Sequence, residues 1–286
     1  MKRIICIALF SILHSVLKAQ TPEPPKGFKW VKNEKFSDEF NGKKLDKTKW
    51  YSRSPYWVNG RAPATFRAYS VSVKKGNLQI KNSVLKNDKK YNIAGGAVAS
   101  VAKDALYGFY EARMKASSIT MSSTFWMKNK PDTKDCPFEV QELDIVEVVG
   151  KQKTGFDFRT KLHSNTHIFH TDCNGKKTSK SASAPPTEIH PPANEAYHVY
   201  GCWWVDANTI KIYLDGVYQF TMNPSTDYRS HPFNKPMYMH LVTETYNWES
   251  PPTPEELADN TKNTTYYDWV RSYTLVPINS KKTETK

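Results

Sequence analysis

Along most of its length the chain alternates apolar and polar positions with a period of two. The runs YSVSV, GNLQIKNSVL, GAVASVA, YGFYEARMKA, MSSTFWMK, LDIVEVV, KLHSNTHIF, YHVYGCWWV, TIKIYLDGVYQFTM, PMYMHLVTETY and YYDWVRSYTLV are rich in β-branched and aromatic residues and separated by turn-forming ones. Runs of this kind are strands with one face buried and the other wet. Asp215-Gly216 predicts a two-residue hairpin turn between TIKIY and VYQF, since both residues tolerate the backbone such turns need. Sustained helical periodicity is absent, and PTPEELAD (252–259) predicts one short helix capped by Thr253. SKSASAPPTEIHPPANE (179–195), rich in Ser, Ala and Pro, reads as a long surface loop. The pattern predicts an all-β domain, a jelly-roll sandwich of two antiparallel sheets.

The two ends follow other rules. MKRIICIALFSILHSVLKAQ begins with Lys2 and Arg3, continues apolar, and reaches the small residue Ala19. This is the pattern of a secretory signal, here residues 1–19. Its apolar run falls short of the roughly 20 residues a membrane-spanning helix needs. The expectation is an exported protein, extracellular or periplasmic, with no membrane span. Residues 20–27, which include TPEPPKG, form a short linker, residues 28–278 the single domain, and residues 279–286 a polar tail. No internal repeat suggests a second domain, and a monomer is expected.

Charge narrows the partners. The chain has 41 Lys+Arg and 28 Asp+Glu; without Lys2, Arg3 and Lys18 the balance is 38 against 28, or +10. Such an excess favours an anionic partner. No nucleic-acid-binding motif is present, the basic residues are spread along the chain, and export also argues against nucleic acid. A charged extracellular polymer fits better. Of the cysteines left after processing, Cys136 and Cys173 lie in polar, loop-like surroundings where they could pair, whereas Cys202 in HVYGCWWV suits a buried thiol.

The candidate chemistry lies in QELDIVEVVG (141–150). Glu142, Asp144 and Glu147 stand in an otherwise β-branched, apolar run. On a regular strand Glu142 and Asp144 share a face while Glu147 points the other way. A β-bulge between Asp144 and Glu147 resets the alternation and puts all three carboxylates on one face. Three like charges on a solvated face are costly without a use. Two glutamates roughly 5–5.5 Å apart are what a retaining glycosidase requires. Glu142 would attack the anomeric carbon, and Glu147 would protonate the leaving oxygen and then activate water. Asp144 would hydrogen-bond the nucleophile and help keep Glu147 protonated.

The E-x-D-x-x-E pattern of residues 142–147 resembles that of glycoside hydrolase family 16, in its agarase, carrageenase and porphyranase branch. FSDEFNG, YGFYEARMKAS, STFWM, TETYNWE and YYDWVRSYTLV extend the resemblance from about Phe36 to Val276. It implies a β-jelly roll with a concave cleft, retaining endo-hydrolysis, and the three roles just given, with no cofactor in catalysis. It also implies that Glu244 hydrogen-bonds sugar hydroxyls. Some members of the family carry a structural calcium on the convex side, for which Asp38, Glu39 and Asp268 are the candidate ligands here.

Sugar rings stack on aromatic side chains, and Trp57, Trp126 and Trp248 are the candidate platforms. Sulfate esters suit the planar fork of arginine. SRSPYWVNGRAPATFR (52–67) clusters Arg53, Arg61 and Arg67 around Tyr56 and Trp57, and Arg113 and Arg159 are further candidates. His163, His167 and His170 complete no familiar metal pattern; His163 or His167 is expected to line the cleft instead. The expected activity is endo-hydrolysis of β-1,4 linkages in a sulfated red-algal galactan, porphyran before neutral agarose or carrageenan. A transglycosylase on the same site, or a non-catalytic sugar-binding jelly roll, is the alternative.

Overall fold

The computed structural model describes residues 21–278 apart from Tyr56 and Phe156. The signal at residues 1–19 and the tail at 279–286 lie outside the described residues. In chain order the strands are β1 (Phe28–Lys32), β2 (Trp50–Tyr51), β3 (Ala64–Phe66), β4 (Val71–Lys74), β5 (Asn77–Lys81) and β6 (Ser83–Val84). There follow β7 (Ile93–Ser100), β8 (Gly108–Lys115), β9 (Ser122–Lys128), β10 (Phe138–Val149), β11 (Lys161–Thr171) and β12 (Lys177–Ser183). The last six are β13 (Thr187–Glu188), β14 (His198–Asp206), β15 (Thr209–Leu214), β16 (Val217–Met222), β17 (Tyr238–Thr243) and β18 (Thr264–Pro277). The one α-helix among the described residues, α1 (Pro254–Ala258), carries the expected capping box, with Thr253 and Glu256 each bonding the other's backbone N–H.

Two sheets pack face to face. One runs β16-β15-β14-β8-β18-β5-β4 with β1 added to β18, the other β12-β11-β10-β9-β17-β7-β2 with β3, β6 and β13 at its margins. All pairings are antiparallel except β3 with β7. Alternation sets the layers. On β8, Tyr110, Ala112 and Met114 turn into the core, which leaves Glu111 and Arg113 on the outer face. From the other sheet, Leu143, Ile145, Val146 and Val148 of β10 enter the same core. Each fully buried Leu, Ile or Val contributes about 1.5–3 kcal/mol relative to exposure. Asp215 and Gly216 both adopt positive φ, 51° and 80°, and close the β15–β16 hairpin.

One stretch departs from the expected loop. Part of 179–195 belongs to β12, an edge strand paired with β11. All but one of its residues are exposed, so it has no buried face and shows no alternating signal. Cys136 and Cys173 form a disulfide, which ties the loop before β10 to the β11–β12 turn. Cys202 is a buried free thiol. No helix among the described residues is long and apolar enough to cross a membrane.

The expected calcium set does not assemble. Glu39 is held by Arg271, Asp268 by Arg113, and Asp38 accepts from the Phe40 amide and the Trp50 indole. These carboxylates are taken up by N–H donors and form no metal-ligand cluster among the described residues.

Candidate functional site

The site is built on β10, the strand between β9 and β11. Asp144 lies opposite Asn165 and Glu147 opposite His163, so β10 spends one residue more than β11 over this span. The same bulge appears against β9, where Asp144 faces Trp126 and Val146 faces Phe125. Ile145 and Val146 both turn into the core, which returns Glu147 to the side of Glu142 and Asp144. The three acids line one cleft of about 680 Å³ with Trp57, Arg61, Trp126, Lys128, Glu244 and Tyr246.

Each acid has its own partners. Glu142 Oε2 accepts a 2.6 Å hydrogen bond from Lys128 Nζ, on the facing residue of β9. Glu147 is held at both oxygens: Oε1 accepts from the Tyr246 hydroxyl at 2.6 Å, and Oε2 from Asn165 Nδ2 at 3.0 Å. Asp144, buried between them, lies 3.2 Å from His167 Nε2, while His167 Nδ1 meets Ser181 Oγ at 2.7 Å. Glu142, Asp144 and His167 are also the one cluster of metal-ligand atoms of its kind among the described residues. The lysine ammonium bonded to Glu142 supplies compensating charge, and the imidazole supplies a hydrogen bond to Asp144.

Electrostatics follow from crowding. Burial, then the charges of Glu147 and Glu142, push the Asp144 carboxyl up to about 8, against the hydrogen bond from His167. Burial pulls His167 down, but its bond to Asp144 and the charges of the three acids raise it overall. The two shifts compete for one proton: burial favours a neutral Asp144, the hydrogen bond a charged His167. Both directions leave the pair holding a proton above the usual carboxylate range, and we favour Asp144 as its seat because it is the more deeply buried.

Glu244 behaves similarly. Burial pushes it up to about 8, with Arg61 opposing and the three acids reinforcing. Its Oε2 is buried without a hydrogen-bond partner, and Arg61 Nε stands 3.8 Å away. An unsatisfied buried carboxyl oxygen in a cleft is positioned to meet a ligand hydroxyl.

The aromatic residues form floor and walls. Trp126 stacks on His240 at 4.2 Å and meets Trp57 edge-on at 5.8 Å; Trp57 in turn packs against Phe66. Burial and Lys128 push His240 down to about 3, so the ring beneath Trp126 is neutral. Trp248 lies outside the acid-lined cavity but stacks on Tyr246 at 4.7 Å, with Phe158 beside it at 4.8 Å. Arg61 stands over Tyr246, 5.3 Å from the ring centre.

Several expected residues lie elsewhere. Arg67 sits at 3.9 Å from Asp88, away from the acids. Arg113 occupies the outer face of the other sheet because Ala112 and Met114 fill the inward positions of β8; it pairs with Asp268 at 2.6 Å. Arg159 pairs with Glu195 and lines a separate polar hollow beside Gly150 and Asn194. Arg53 bonds the carbonyl of Val58. His163 shares the face of Glu147, but its ring stacks under Phe158 at 3.7 Å, and His167 is the imidazole that reaches the acids.

Lys128 and Tyr246 were missed by sequence reasoning, although parity identifies the first. Lys128 is two residues from Trp126 on β9, whereas Tyr246 lies past the end of β17, where no alternation applies. Asn165 gave no such signal, because its role depends on the register of β11.

Comparison with known proteins adds the following. A family model described as β-porphyranase A–D, GH16 domain, matches residues 30–275. β-Porphyranase E of Zobellia galactanivorans is 83% identical over 254 residues, covering 89% of this chain and 91% of that one. β-Porphyranase B of Phocaeicola plebeius is 50% identical, covering 90% and 88%. The crystal structure of the β-porphyranase BpGH16B from Bacteroides plebeius superposes with a TM-score of 0.85 at 49% identity, over 90% of this chain and 95% of that one. β-Agarase A of Z. galactanivorans shares the fold at 24% identity, with a TM-score of 0.77 over 90% and 96%.

Proposed function

Because the chain belongs to the β-porphyranase group of glycoside hydrolase family 16, we propose that it cleaves porphyran internally, at β-1,4 linkages, with retention of configuration. The observation that carries the mechanism is the bulge in β10, which brings Glu142, Asp144 and Glu147 to one face of the cleft. Glu142, oriented by Lys128, attacks the anomeric carbon. Glu147, held by Tyr246 and Asn165, gives its proton to the leaving oxygen and later takes one from water. Asp144, raised by its burial, keeps a proton it can share with Glu142; this lowers the repulsion among the acids, so Asp144 does not hold a proton on Glu147 by like charge as its spacing suggested. Glu244 offers its unsatisfied oxygen to a sugar hydroxyl, and Trp126 and Trp57 receive ring faces.

Sulfate recognition falls to Arg61. It stands at the cleft wall with Trp57 and is the one arginine among those expected that lines the cavity. Charge-assisted bonds to a sulfate contribute on the order of 1.5–3 kcal/mol when shielded from water. Export fits the same reading: residues 1–19 have the order of a secretory signal, and the Cys136–Cys173 disulfide suits an oxidising compartment. The test is a product profile. Incubated with porphyran, agarose and carrageenans, the protein should release new reducing ends from porphyran first; release from agarose in preference would move the assignment to an agarase.

A further inference from the structure

The cleft extends past the acids. Its lining continues along β10 through Val140 and Phe138, crosses Phe169 and Thr171 on β11, and reaches Lys177 on β12. This end resembles the Arg61–Trp57 wall in kind, an aromatic surface beside a cation, but is assembled from other strands. Phe169 is 39% exposed, with the Lys128 ammonium 5.2 Å from its ring centre and the His167 ring stacked at 5.9 Å, so it carries the lining from the acids toward Phe138 and Thr171. Lys177 is exposed, and among the described residues no carboxylate pairs with it. The charges around it are otherwise engaged: Lys180 holds Asp227, and Asp172 accepts the turn amides of Asn174 and Lys176. The Cys136–Cys173 disulfide pins both loops that frame this end.

Register gives the scale. Lys177 lies opposite Thr171, and Thr171 opposite Phe138. At strand spacing this puts Lys177 about 10 Å across the sheet and about 13 Å along it from Glu142. That is too far to touch the sugar under attack and suited to a sugar farther along the same chain. A polymer sulfated at alternate sugars presents a charge at every repeat, so a cleft that reads one sulfate at Arg61 meets another along its length.

We propose that the β10–β11–β12 rim is a distal subsite for a sulfated sugar, in which Lys177 contacts the sulfate and Phe138 and Phe169 receive the ring. The inference rests on the reading that the substrate is a sulfated galactan. It is tested with Lys177→Ala and Lys177→Glu, assayed on polymeric porphyran and on the shortest sulfated oligosaccharide the wild type cleaves. On the polymer, KM should rise about two- to fivefold for the alanine variant and further for the glutamate, with kcat kept. The short substrate should lose much less, and KM on the polymer should become less sensitive to salt. An unchanged KM in Lys177→Glu, or equal losses on polymer and oligosaccharide, overturns the subsite. A wild type that leaves porphyran intact removes the premise and the subsite together, which distinguishes the two failures.

Discussion

On the outer face of the eight-stranded sheet, Glu39 and Asp268 are matched with arginines, whereas Glu111, buried opposite Arg271, is pushed up to about 7 by its burial. Glu39 takes two hydrogen bonds from Arg271, at 2.9 and 2.8 Å, and Asp268 takes one from Arg113 at 2.6 Å. On the cleft face of the other sheet, Glu142, Asp144, Glu147 and Glu244 share Lys128, Arg61 and one imidazole. The consequence shows in their protons. Arg271 holds Glu39 below its ordinary range, while burial lifts Asp144 and Glu244 to about 8. Paired acids serve the fold. Crowded, half-compensated ones cost stability, and the cost is borne where a carboxyl must give, take or share a proton.

The largest effect should come from the cleft acids themselves. Glu142→Gln should lower kcat on the order of 10⁴-fold or more, and Glu147→Gln about 10²–10⁴-fold, with folding and polysaccharide binding kept. Asp144→Asn should cost less than either, since on the proposed mechanism Asp144 assists beside Glu142, bonded to His167, without attacking or protonating the sugar. Steady-state kinetics with calorimetric binding check all three, and near-wild-type turnover in Glu142→Gln would remove the nucleophile assignment.

Arg61→Ala comes next, with kcat/KM on porphyran falling roughly ten- to a hundredfold. Activity on agarose, where there is any, should barely change. Equal losses on both polymers would mean that Arg61 supports Glu244 and Tyr246 and that sulfate is read elsewhere.

Stability against pH sharpens the contrast. Asp144 and Glu244 keep their protons in the native state up to about 8, whereas the unfolded chain gives them up near the ordinary carboxylate values. The native state therefore binds more protons across that window, and stability should fall as pH rises through it. Melting temperatures from pH 5 to pH 9 should show this decline, and Asp144→Asn or Glu244→Gln should flatten it. A steeper decline in either variant would contradict the raised carboxyls.

The smallest effect belongs to the outer face. Asp268→Asn should cost no more than about 1 kcal/mol by denaturant titration, as expected of a partly exposed pair, and leave turnover unchanged. A large loss of activity would mean that the two faces are coupled.

Much of this contrast was legible in the residues. Leu143, Ile145, Val146 and Val148 are apolar at spacings that only a bulge reconciles with three acids on one face. Arg113 was misplaced although the run YGFYEARMKA settles its side: with Tyr110, Ala112 and Met114 inward, Arg113 must face out. Arg67 and Arg159 lie outside any alternating run, so nothing local fixes their direction. The partners of the acids depend on register between strands far apart in sequence, as with Tyr246 and Glu147, and register is set by turns and packing that a single chain pattern does not encode. β12 escaped notice because an edge strand exposed on both faces leaves no hydrophobic period to read.

On the proposed mechanism the bulge sets Glu142 and Glu147 across a glycosidic bond at the spacing of a double displacement. Proton NMR of the first reducing ends released from porphyran, recorded before mutarotation, tests it directly. The β anomer should appear first and the α anomer only as the two equilibrate. An α anomer appearing first would mean single displacement by water, and Glu142 would then be no nucleophile.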